Sequence, residues 1–145
     1  MKNILPEICI NLQSTNKNEA MMELASLLFK SGGISDLEVF VKDLQAREGL
    51  MSTYCGYHLA IPHSESEVVV RPSFAFGRSK GLQWDEDDEM VKFIIILAIP
   101  KEGANQNNQH IDMMSAIATL ALEDDVREIW EKAETIEEIA TTFNL

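Results

Sequence analysis

The chain has 145 residues, 46% of them hydrophobic and 25% charged, with 24 acidic against 12 basic side chains and a formal net charge of −12. A chain of this size buries about 70% of the surface its unfolded form exposes, which excludes a disordered tract and a small fold that depends on disulfide or metal staples. The acidity argues against a nucleic-acid or anionic-lipid binder, because each phosphate contact asks for a Lys or Arg. No repeat or Pro/Ser-rich linker divides the sequence, so residues 1–145 are expected to form one domain.

Met1 to Glu7 gives neither a signal region nor a membrane span, and Ile8 to Leu12 predicts an edge strand. Asn16, with Glu19 three positions on, caps a helix whose Met21, Leu24, Leu27 and Leu28 repeat at helical spacing until Gly32-Gly33. Asp36 caps a second helix, with Leu37, Phe40, Val41 and Leu44 as its apolar stripe and Gly49 as its stop. From Ser52 to Gly81 short β segments are expected, at Leu59 to Pro62 and Ser73 to Phe76. Val91 to Ile99 is nearly all apolar, the mark of a central strand covered on both faces, and it ends at Pro100.

After the polar loop Lys101 to Gln109, the residues Ile111, Met114, Ile117, Ala118 and Ala121 mark an amphipathic helix, with Asn107 or Asn108 as its cap. Val126, Ile129 and Trp130 line another, and Thr135 with Glu138 boxes the start of a last helix, Ile136 to Phe143. Helices first, strands in the middle and helices last predict the α/β class, a mixed β-sheet flanked by α-helices on both sides. Strand order does not follow from the pattern.

The run Asp85 to Glu89 carries −5 and residues 123–145 carry −6, while Lys42 to Gly81 comes to +1. The acidic run lacks the spacing and turn glycine of a calcium loop, so a solvated loop is expected. Cys9 and Cys55 lie far apart without zinc spacing, which points to a reduced, cytoplasmic setting. No nucleophile signature surrounds Cys55, which reads as a small buried cysteine.

Three histidines remain: His58, His63 and His110. His58 and His63 are five apart, a spacing that turns them away from a common metal on either a strand or a helix. His63 follows Leu59-Ala60-Ile61-Pro62, where a strand is expected to emerge into a loop, and Pro62 fixes the direction of exit. His110 precedes a helix, whose positive end favours the neutral ring. Taken alone, each is compatible with a reactive histidine or with an ordinary, partly exposed one.

Read together, Arg47-Glu48, Ser52-Thr53, Gly56, Ala60-Ile61-Pro62-His63 and Asn108-Gln109-His110-Ile111 resemble, over essentially the whole chain, the enzyme IIA domains of the bacterial sugar phosphotransferase system in the fructose/mannitol class, which also includes nitrogen-regulatory relatives. The resemblance implies that His63 accepts a phosphoryl group from the histidine-containing phosphocarrier protein, HPr, and passes it to a cysteine of EIIB, the partner of a membrane EIIC component. It maps the second site histidine onto His110 and the site arginine onto Arg47. This chain has His58 where the family usually has glycine, and Ser64 where glycine often follows the phosphohistidine; Tyr54 leans towards mannitol-like members. Phosphoryl transfer asks mostly for positioning and for donors on the equatorial oxygens, which the Arg47 fork and the His110 N–H can supply without metal or cofactor. Two other readings are a regulatory phosphoprotein acting on partner proteins, and a metal- or cysteine-dependent hydrolase.

Overall fold

The computed structural model describes residues 5–86, 89–101 and 109–143, with residues 109 and 110 described in their backbone only. One strand explains the architecture. Along β5 (Val91–Pro100), Phe93, Ile95, Leu97 and Ile99 point into one apolar cluster while Ile94, Ile96 and Ala98 point into another. A strand apolar on both faces must be covered on both. Helices α1 (Lys17–Lys30) and α2 (Leu37–Leu50) cover one side; α3 (Gln109–Ala121), α4 (Asp124–Lys132) and α5 (Ile136–Thr142) cover the other.

The sheet is mixed, as expected. Strand β1 (Glu7–Cys9) runs parallel to β4 (Ser73–Leu82), β4 runs antiparallel to β5, and β5 takes β2 (Leu59–Ala60) and β3 (His63–Ser66) in parallel on its other edge. Leu59 pairs with Phe93 and His63 with Leu97, so β2 and β3 keep one register and form a single edge strand interrupted at Ile61-Pro62. Pro62 has no N–H to donate, but its carbonyl still accepts from Leu97 N–H at 3.0 Å.

The caps expected from sequence are made. Asn16 accepts from Glu19 N–H at 2.9 Å, Asp36 from Val39 N–H at 3.1 Å and Thr135 from Glu138 N–H at 3.2 Å. Helix α1 stops at Gly32, whose φ of +85° is the left-handed C-terminal turn that glycine adopts at least cost. Gly49 does not stop α2, which runs on to Leu50.

Several expectations are corrected. The first strand covers Glu7–Cys9, not Ile8 to Leu12, and the strand expected at Ser73 to Phe76 continues to Leu82 because pairing with β5 carries it through polar residues. In α3 the buried residues are Met113, Ile117, Leu120 and Ala121, with Ile111 exposed, so the inward stripe is rotated from the expected one. The caps expected at Asn107 or Asn108 lie outside the described residues. In the second cluster Phe74, Phe76, Phe93, Trp130 and Phe143 pack in mixed edge-to-face and stacked pairs, the Trp130 centroid lying 5.3 Å from that of Phe76.

Candidate active site

The break at Pro62 puts a histidine at the start of a strand segment. Because β3 continues the edge strand, His63 does not emerge into a loop as expected; it opens β3, with Ser64 and Ser66 buried and Glu65 exposed. The His63 ring turns back on its own chain, with Nδ1 2.9 Å from the Ile61 carbonyl oxygen. A carbonyl can only accept, so Nδ1 carries the proton and, in the neutral ring, the lone pair is on Nε2.

Arg47 reaches the same place from α2. Ser66 Oγ donates to Asp43 at 2.6 Å, pinning this helix beside β3. Arg47 is one turn beyond Asp43 on the same face, and so lies alongside His63. The two side chains share a cleft of about 310 Å³ with Ser64, Glu65 and Ile99. One N–H of the guanidinium goes to the Met51 carbonyl at 3.0 Å, which holds the fork at the helix end. Residues 47 and 63, distant in sequence, are thus brought together. His110 lies in the first turn of α3, and its side chain is outside the described residues.

The other histidine is elsewhere. His58 pairs through its carbonyl with Phe93 N–H at 3.0 Å, four residues along β5 from the partner of His63, or about 13 Å at strand rise. Its Nδ1 is 2.8 Å from the Met90 carbonyl oxygen and its Nε2 4.0 Å from Glu89. Tyr57 and His58 have φ of 55° and 61°, and Leu59 N–H closes on the Gly56 carbonyl at 3.0 Å, so Gly56 to Leu59 form a tight turn with two left-handed central residues. A glycine at position 58 would take that conformation without strain, which gives the usual family residue its physical reason.

Cys55 is exposed rather than buried. Its Sγ sits 3.4 Å from the Leu59 carbonyl, and desolvation pushes the thiol up from its ordinary value, the reverse of an activated nucleophile. Nor is the acidic run merely solvated: Ser52 Oγ donates to Asp85, Lys17 Nζ lies 3.5 Å from Asp85, and Tyr54 O–H donates to Glu89 at 2.8 Å; residues 87 and 88 are outside the description.

Glu48 and Thr53 belong to the motif, which by itself assigns them no role. Glu48 is buried and accepts from both the N–H and the hydroxyl of Thr53, at 2.8 and 2.6 Å. The signal was present in the sequence: Glu48 continues the α2 stripe from Phe40 and Leu44 at four-residue steps, where a carboxylate must find partners.

A family model described as "Phosphoenolpyruvate-dependent sugar phosphotransferase system, EIIA 2" matches residues 3–145. The "PTS system fructose-specific EIIABC component" of Bacillus subtilis is 30% identical over 138 residues, which are 94% of this chain and 21% of that protein. The "PTS system fructose-specific EIIA component" of Haloferax volcanii is 30% identical over 136 residues, covering 91% of this chain and 86% of that one. Among solved structures, the nitrogen regulatory protein IIA-Ntr of Neisseria meningitidis superposes with a TM-score of 0.81 at 26% identity, over 94% of this chain and 92% of that one. The chain therefore spans about a fifth of its multi-component relative and most of its free-standing one.

Proposed function

The chain belongs to the EIIA 2 family of the phosphoenolpyruvate-dependent sugar phosphotransferase system, and we propose that it is the phosphocarrier in which His63 accepts a phosphoryl group from phosphorylated HPr and yields it to a cysteine of EIIB. The observation that carries this reading is the His63 ring, held through Nδ1 in a cleft shared with Arg47. In the step, the P–N bond to the donor imidazole breaks as a bond forms from phosphorus to His63 Nε2. Nδ1 keeps its proton, so the phosphorylated ring is cationic and its N–H donates more strongly to the Ile61 carbonyl. Arg47 offers N–H groups to the equatorial oxygens, where charge accumulates as the group passes. His110, in the first turn of α3, is proposed as a further donor.

The positive ring also makes the phosphoryl group easy to give up, as a carrier requires. Leu50 and Met51, exposed at the end of α2 beside Arg47, offer apolar surface for brief docking of donor and acceptor. The relative from Bacillus subtilis is named for A, B and C components together, which supports an EIIB acceptor beside a membrane EIIC component. This reading places the traffic in the cytoplasm, and the sugar is chosen elsewhere.

The test is incubation with phosphoenolpyruvate, enzyme I and HPr, followed by intact mass at alkaline pH. One acid-labile phosphoryl group is expected on the wild type and none on His63→Ala; labelling that persists in the variant overturns the assignment. A second reading, favoured by the likeness to the nitrogen regulatory protein, keeps the phosphorylation but makes a regulated partner its output. Adding EIIB separates the two: a carrier loses its phosphoryl group to the EIIB cysteine, and a regulator retains it.

A further inference from the structure

Among the described residues Glu48 is the one charged side chain in the buried class, 4% exposed. It follows Arg47 in sequence, but a helical step of about 100° turns it into the core. Its carboxylate accepts from Thr53 N–H and O–H, and from Trp84 Nε1–H at 3.1 Å, with Lys17 Nζ 3.4 Å away. The next bonds lead to the cleft. The Thr53 carbonyl accepts from Ile61 N–H at 3.2 Å, and the Ile61 carbonyl faces His63 Nδ1 at 2.9 Å. The same short segment supplies the Met51 carbonyl to Arg47.

We infer that Glu48 is a positioning residue which, through Thr53 and Ile61, holds the His63 ring as its Nδ1–H tautomer and so presents Nε2 to the donor. The inference rests on the phosphocarrier reading of His63. A carboxylate suits the task because every group around it donates: an N–H, a hydroxyl, an indole and an ammonium. An amide of the same shape turns an NH₂ towards one of those donors. The segment then shifts, and with it the carbonyl that orients the ring.

The test compares Glu48→Gln, Thr53→Val and, as a control on the opposite face of the sheet, Thr142→Val, which removes the hydroxyl that accepts from Trp130 Nε1. Nitrogen-15 NMR of the unphosphorylated imidazoles reads the His63 tautomer, and quenched flow with phosphorylated HPr reads the rate. The wild type is expected to hold one tautomer, with the proton on Nδ1. Glu48→Gln is expected to mix the two and to lower kcat by about ten- to a hundredfold, the cost of a slightly misplaced reacting atom, with KM for HPr little changed. Thr53→Val should move both readouts the same way by less, and Thr142→Val should move neither.

If Glu48→Gln does not fold, Thr53→Val carries the test. An unmixed tautomer with wild-type kcat in the folded variants overturns the inference, as does an equal loss of rate in Thr142→Val. Because the tautomer is measured without a donor, a mixed tautomer in Glu48→Gln beside a wild type that takes no phosphoryl group would overturn the phosphocarrier reading and not the relay.

Discussion

His58, in the turn that leads into β2, and His63, which opens β3, are five residues apart, and each ring lies with Nδ1 within 2.9 Å of a backbone carbonyl oxygen. Their surroundings differ in how the charges are paired. Among the described residues His63 shares its cleft with Arg47 and Glu65. His58 faces a hollow lined by Glu89, Asp124, Glu128 and Glu131, where Arg127, 4.0 Å over the Tyr57 ring, pairs with Asp124, Lys132 with Glu128 and Lys92 with Glu131. A phosphoryl group would find the cations near His58 already committed to carboxylates, and near His63 an arginine whose fork has N–H groups beyond the one given to Met51. On the proposed reading, an oriented imidazole is not enough to make a phosphoryl site, and the arginine beside His63 supplies what His58 lacks.

The largest expected effect comes from altering that donor. Arg47→Lys keeps the charge but loses the planar fork, so transfer to His63 is expected to slow by roughly ten- to a thousandfold with folding unaffected, measured by quenched flow. His110→Ala is expected to fail differently, still labelling His63 but delivering poorly to the EIIB cysteine because the group is no longer aligned for in-line attack. Wild-type rates in both half-reactions for either variant would remove that residue from the site.

Next in size is the support under the site. Glu48→Ala leaves the donors of Thr53, Trp84 and Lys17 without their acceptor, and a loss of about 3–5 kcal/mol is expected from urea unfolding. A loss below about 1 kcal/mol would show that the network is wet and weak.

On the His58 side the effects are smaller. His58→Gly relieves a left-handed backbone worth about 1–2 kcal/mol but gives up the bond to Met90 and gains unfolded-state freedom, so a net change within about 1 kcal/mol is expected. Phosphoryl acceptance should be largely intact; a loss comparable to that of His63→Ala would break the comparison. The smallest effect concerns Cys55. A thiol whose pKa is raised by desolvation stays protonated in the folded state, so its contribution to stability is present below the ordinary thiol pKa and is lost as pH rises through the folded one. Its alkylation by iodoacetamide should be slower than that of free cysteine at mildly alkaline pH, and an equal or faster rate would contradict the shift.

What was legible in the sequence was local. Asn16, Asp36 and Thr135 cap helices through bonds spanning three residues, and the two-sided apolar run of β5 dictated a sheet covered on both faces. The extension of β4 beyond Phe76 to Leu82 is not legible, because it rests on antiparallel pairing with β5 across a register shift between Arg78 and Leu82 and not on an apolar pattern of its own. The inward face of α3 is not legible either, since helical periodicity includes Ile111 whereas packing against the second cluster selects Met113. For the site, the motif identified Arg47 and His63 as candidates, but their meeting depends on Asp43 with Ser66, and the orientation of the ring on Ile61, neither of which periodicity encodes.

The central claim is tested most directly by locating the phosphoryl group after transfer from phosphorylated HPr, by fragment mass spectrometry for the residue and phosphorus-31 NMR for the ring nitrogen. A single phosphoryl group on Nε2 of His63, acid-labile and alkali-stable, is the result expected. Phosphate on His58, on His110 or on Nδ1 of His63 would contradict the account.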